Sequence, residues 1–152
     1  MARTTHGFTL VELMVTLAVL AVLIMVAAPS FNTITLTQRV KTASFDIVAN
    51  LSYARSEALK QNGNVTITPT DGDWANGWTI TGPDGSTLKT GAASQNLTIT
   101  GPASLVYSRS GRVTSGSGNI DISSSIEDAA VAGRCITLDV TGLPRAKPGS
   151  CP

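Results

Sequence analysis

Hydrophobic side chains fill the chain from Phe8 to Ala28 almost without a break. Those twenty-one residues include one charge, Glu12, and two threonines, Thr9 and Thr16. At about 1.5 Å per residue, a helix of that length spans about 30 Å, one hydrocarbon thickness. After Pro29 the pattern changes. Leu36, Val40, Ala43, Ile47, Leu51, Ala54 and Ala58 recur in steps of three and four, the period of one helical face. Gln38, Arg39, Lys41, Asp46, Asn50, Arg55 and Lys60 fall opposite them, and Gly63 is a natural stop. Beyond Gly63 the period drops to two, in the runs Val65–Thr68, Trp78–Ile80, Leu97–Thr100, Leu105–Tyr107, Ile120–Ile122 and Ile136–Val140. Asp71-Gly72, Pro83-Asp84-Gly85, Gly101-Pro102, Gly116-Ser117-Gly118 and Thr141-Gly142 punctuate these runs as turns. One further helical turn is expected at Ile126–Ala132. The pattern predicts an α+β chain: a long N-terminal helix, transmembrane in its first half, packed on an antiparallel β-sheet domain. The divisions are 1–7, polar; 8–29, transmembrane; 30–63, amphipathic helix; and 64–152, a β-rich globular domain.

Charge orients this arrangement. Arg3 and the amino terminus lie just before the apolar run, so the positive-inside rule keeps the N-terminus cytoplasmic and exports everything after Ala28. A cleaved secretory signal has a shorter apolar core and a small-residue cleavage site followed by mature sequence, whereas Ala27-Ala28 here run into Pro29 and a helical pattern. A plain signal anchor fits the length but leaves Glu12 unexplained. A carboxylate in an apolar helix is costly without a partner.

Composition adds exclusions. Eleven basic residues against ten acidic ones give no global field for a polyanion, so any such binding needs a local patch. His6 is the single histidine, and the chain has no cysteine cluster, G-x-S-x-G elbow or phosphate loop. An enzyme, a metal centre or a cofactor site therefore has no residues to stand on. Trp74 and Trp78 read as core packing in preference to a ligand platform, and Arg55 with Glu57 as a solvated helix face. Cys135 and Cys151 are the two cysteines; in an exported domain they are expected to pair, the alternative being two independent thiols.

Gly7-Phe8-Thr9-Leu10-Val11-Glu12 resembles the processing site of type IV prepilins and type II secretion pseudopilins. The resemblance implies a leader peptide, 1–7, removed by a prepilin peptidase that cuts after Gly7 and methylates the new amine of Phe8. It also implies that Glu12 pairs with the freed amine of a neighbouring subunit in the filament, and that Pro29 loosens the helix. Tyr53-Ala54-Arg55-Ser56-Glu57-Ala58, Trp74-Ala75-Asn76-Gly77-Trp78 and Tyr107-Ser108-Arg109-Ser110-Gly111-Arg112 are similar, in order and spacing, to segments of the GspH/FimT minor pilins. The implied function is a minor pilin or pseudopilin of a type IV pilus or type II secretion filament, acting in filament initiation or in the tip complex. Its partners would be other pilins and the inner membrane, with the globular domain periplasmic and the assembled filament at the cell surface.

The same resemblance carries an alternative. Some FimT-like pilins bind double-stranded DNA through a C-terminal Gly-Arg-x-Arg motif. Here Gly142 and Arg145 match, Leu143 replaces the first arginine, and Lys147 replaces its charge but not its geometry. With Arg134 near its base, a Pro-stiffened loop closed by Cys135 and Cys151 would present Arg145 and Lys147 as a weak, salt-sensitive phosphate site.

Overall fold

The computed structural model describes residues 8–126 and 130–152, with the backbone alone at 26–30. Residues 1–7, and with them Gly7, lie outside the described set, as does part of the turn expected at Ile126–Ala132.

A single helix, α1, runs from Leu10 to Lys60 and continues through Pro29. Thr9 starts it: its hydroxyl accepts the Glu12 amide at 3.2 Å, satisfying one of the unpaired N–H groups of the first turn. At the other end Asn62 takes a left-handed conformation (φ 50°) and the Gly63 amide reaches back to the Ala58 carbonyl at 3.2 Å. Asn62, one residue before the expected glycine, thus makes the turn that closes the helix.

The two parts of α1 on either side of residue 35 belong to separate compact units. In the first, every described apolar side chain from Phe8 to Met25 that is large is more than half exposed. No helix among the described residues is long and apolar enough to cross a membrane. The stretch with described side chains, Leu10 to Met25, is shorter than the roughly 18 residues a span needs; the expected span to Ala28 extends beyond it.

In the second unit all seven apolar positions read from the periodicity are buried. Six of them, Val40 to Ala58, meet two antiparallel sheets. One has the order β3-β2-β1-β5-β6, made of β1 (Val65–Thr70), β2 (Asp73–Thr81), β3 (Thr87–Gly91), β5 (Leu105–Tyr107) and β6 (Val113–Ser115). The other has the order β4-β7-β8-β9, made of β4 (Leu97–Thr100), β7 (Gly118–Ser124), β8 (Arg134–Leu138) and β9 (Pro144–Pro148). Ile67, Ile80, Leu105 and Tyr107 from the first sheet join Ile99, Ile120, Ile122, Ile136 and Leu138 from the second in one cluster with the helix stripe. Most alternate residues on those strands are polar and less buried, Val106 and Cys135 being the exceptions, the signature of sheets covered on one side. Trp74 and Trp78 are both buried, with ring centroids 5.9 Å apart, and the Trp74 indole donates to the Pro102 carbonyl at 2.9 Å. They are core residues.

Three strands escaped the alternation. β3 and β6 are short and polar. β9 is Pro-Arg-Ala-Lys-Pro, and it replaces the expected loop between Gly142 and Gly149. Proline is tolerated there because β9 is an edge strand and needs donors on one side only.

The two sheets and the helix meet at Gly111 and Gly142. Both have positive φ (70° and 81°), and a Cβ on Gly142 would collide with the Gly111 carbonyl. Gly142→Ala is therefore expected to cost about 1–3 kcal/mol from the backbone conformation alone, plus the overlap with that carbonyl. Chemical unfolding of the detergent-solubilised chain checks it; an unchanged midpoint would refute the close approach.

Candidate functional site

The N-terminal turn is the first candidate. Phe8 is 80% exposed, and Glu12 lies in the first turn of α1, where its charge favours the positive end of the helix dipole. Thr9 and Glu12 have capping-box spacing, and the Thr9 half of the box is formed. This local role for Glu12 is legible in Thr9-Leu10-Val11-Glu12 and supplements any role in assembly. Among the described residues the Glu12 carboxylate has no cationic partner. Pro29 lies on the helical backbone of α1.

The second candidate is the end of α1. Arg55 is half-buried and donates from Nε to the Gly111 carbonyl at 2.9 Å. Glu57 is buried and accepts from Gln61 at 2.7 Å and from Lys60 at 3.3 Å; these contacts, the Gln61 amide foremost, hold its carboxyl below the usual range. Asn50 is buried too, its amide donating to the Asp46 carbonyl at 2.7 Å. The reading of Arg55 and Glu57 as a solvated face is thus corrected: Arg55 is fastened to the Gly111 turn, and Glu57 is buried with its carboxylate held by Gln61 and Lys60. Tyr107 is fully buried and donates to the Gly142 carbonyl at 3.2 Å; burial pushes its phenol up, against the pull of the Arg55 guanidinium. Two of the segments that resembled minor pilins, at 53–58 and 107–112, therefore touch through Arg55 and Gly111. The third is a packing motif. Gly77 has φ 95° against the Gly91 carbonyl, and Gly91 in turn leaves room for the Trp78 ring.

The C-terminal cations are the third candidate. Cys135 and Cys151 form a disulfide. The Cys151 amide donates to Asp121 Oδ1 at 2.8 Å and the Gly149 amide to the Gly133 carbonyl at 2.8 Å, so the tail folds back across β8 to β7. In the β8–β9 register Thr137 faces Arg145 and Cys135 faces Lys147. Arg145 and Lys147 thus share one face of β9, both exposed. Arg134 is two-sidedly different: it falls on the opposite face of the sheet, half-buried, with its guanidinium 5.8 Å from the Phe45 ring centroid. The structure brings Arg145 and Lys147 together and leaves Arg134 apart. Asp139, near Arg145, spends its carboxylate on its own turn. Thr141 donates to it from hydroxyl and amide, and these bonds hold its carboxyl below the usual range.

A long helix with an uncovered apolar beginning, packed further along on antiparallel sheets, with a disulfide-held C-terminus, is the architecture of type IV pilin-like subunits. Residues 43–142 match the family model described as Type II transport protein GspH, and residues 2–28 match the model of the prokaryotic N-terminal methylation motif. The chain belongs to the GspH family. Two crystal structures of the type IV minor pilin FimU from Pseudomonas aeruginosa, strain PAO1, share its fold. One aligns with a TM-score of 0.63 and 23% identity over 73% of this chain and 90% of the other. The second aligns with a TM-score of 0.59 and 23% identity over 71% and 92%. No curated protein matches the chain. It is a minor pilin or pseudopilin of a type IV pilus or type II secretion filament: a structural subunit, not an enzyme, that assembles with other pilins or pseudopilins.

Replacing Cys135 and Cys151 with serine opens a loop whose ends are 16 residues apart. The expected loss is about 3 kcal/mol in the chain-entropy account. Unfolding of the oxidised, reduced and double-serine chains measures it; equal midpoints for all three would refute the tail's structural role.

Proposed function

We propose that this subunit acts in filament initiation or in the tip complex after prepilin peptidase cuts the Gly7–Phe8 bond. Before assembly Phe8–Ala28 holds the chain in the inner membrane, N-terminus cytoplasmic, with the globular domain in the periplasm. The observation that carries this reading is the uncovered apolar surface from Phe8 to Met25, interrupted by one carboxylate that has no cationic partner among the described residues. Soluble chains rarely leave such a surface open without a partner for it. Glu12 sits four residues beyond the new amine, so an amine of a neighbouring subunit neutralises it in an apolar filament core.

Intact-mass measurement with and without the peptidase should show loss of residues 1–7. Glu12→Ala and Glu12→Gln should both stay in the membrane and still be processed, yet enter filaments poorly. Glutamine keeps the length of the side chain and removes its charge, so its failure isolates the charge. Wild-type incorporation of both variants would remove Glu12 from the assembly contact, and an intact Met1 in peptidase-positive cells would end the processing proposal.

A second reading is favoured by the shared exposed face of Arg145 and Lys147: capture of double-stranded DNA for uptake. Two or three cations give a weak site whose affinity falls steeply with salt. In a low-salt gel shift, Arg145→Ala and Lys147→Ala should each weaken retardation and the pair more so. Arg134→Ala should weaken it less, since Arg134 lies on the other face. Absence of retardation at tens of micromolar protein, a concentration well within non-specific binding, would leave the filament role alone.

A further inference from the structure

The two ends of β1 carry turns of opposite charge. Val65 begins the strand opposite Tyr107, and the chain then turns through Ser108–Gly111, closed by the Gly111 amide on the Ser108 carbonyl at 2.8 Å. Arg109 and Arg112 flank this turn, both exposed, and neither guanidinium forms an ion pair or hydrogen bond among the described residues. Thr70 ends the strand opposite Asp73 across the Asp71-Gly72 turn. Asp71 and Asp73 are exposed there; Asp73 accepts the Ala75 amide at 2.8 Å, and no cation among the described residues lies within ion-pair reach of either. Six residues of strand separate the two turns by about 20 Å. The arginines and aspartates are therefore too far apart to pair within one domain, and both turns are held rigidly by the same sheet.

We propose that these turns are the two halves of a contact between copies of this chain, the Arg109–Arg112 turn of one docking on the Asp71–Asp73 turn of the next. The inference deepens the filament reading and rests on it. Because the two patches differ, the contact is heterologous: a pair of copies keeps one free end of each kind, and the stack stays open. Exposed ion pairs contribute little singly. The contact therefore acts between copies already gathered by their helices, where it sets which ends face each other, and it weakens with salt. The proposed initiation complex then holds more than one copy of this chain.

The test uses full-length chain in detergent micelles, with Ser110→Cys on one tagged copy and Thr70→Cys on a differently tagged one. Oxidation should give the mixed dimer several-fold above either like-with-like dimer. Arg109→Glu with Arg112→Glu should bring it down to the like-with-like level, and Asp71→Lys with Asp73→Lys on the partner should restore it. If the lysine turn loses its thermal transition, Asp71→Asn with Asp73→Asn keeps the local acceptor and should lower the mixed dimer as the arginine reversal does. A mixed dimer no more abundant than the like pairs, or a loss that the reversed partner does not restore, overturns the contact. A filament reading that survives the Glu12 variants would be untouched by that result, so the two failures are distinguishable.

Discussion

A helix that is apolar on every side cannot be satisfied by the chain that carries it. The side chains from Phe8 to Met25 have that character and stand uncovered, and the rest of the structure is arranged around the consequence. A stripe on one face would call for a domain; an apolar cylinder calls for lipid or for other helices like itself. After residue 35 the same helix narrows its apolar surface to the stripe Leu36–Ala58, and there the chain supplies its own cover from two sheets. The division between what this protein buries alone and what it must bury with partners is thus written as a change of period along one element.

Within the domain, backbone approach does what side-chain volume cannot. Gly111 and Gly142 bring the turn after β5 against the turn after β8, and Arg55 and Tyr107 fasten that approach from the helix and from the first sheet. Each of those two side chains donates to a glycine carbonyl that would otherwise lose water on packing, so the contact satisfies groups as it excludes solvent. A guanidinium at position 55 is therefore a structural residue, and its partner is the glycine of a segment more than fifty residues away in sequence.

The helix stripe was legible because all seven of its positions obey one period over about six turns, and the strands with isoleucine or leucine on alternate positions were legible for the same reason. The N-terminal methylation motif and the order of the three GspH-like segments were legible as residue patterns. What could not be read has physical causes. β9 has prolines at both ends and no apolar face, so nothing in its composition distinguishes an edge strand from a loop; only its pairing with β8 does. Asn50 and Glu57 look solvent-facing on a helical wheel, yet both are buried, with the Asn50 amide and the Glu57 carboxylate bonded to residues three or four positions away, and a wheel contains no information about burial by the rest of the fold. Arg134 was grouped with Arg145 and Lys147 by proximity in sequence. The pleat separates them, because residue 134 is one step out of phase with residue 135, whose partner is Lys147.

That edge strand also bears on how the subunit meets its neighbours. A free sheet edge invites another chain to pair with it, and pairing of that kind would compete with assembly through the helix. Pro144 and Pro148 remove two amides from the outer edge of the second sheet, Arg145 and Lys147 add like charges to it, and the disulfide-held tail lies across its face. On the first sheet, Lys89 on the edge strand β3 turns inward over the Tyr53 ring, 5.4 Å from its centroid, and β6 is partly capped by the Val113 amide on the Val140 carbonyl at 3.3 Å. Three of the four sheet edges, those at β9, β3 and β6, are thus blunted, each by a different device. With strand pairing disfavoured at those edges, the apolar surface from Phe8 to Met25 is left open for association with lipid or with other helices.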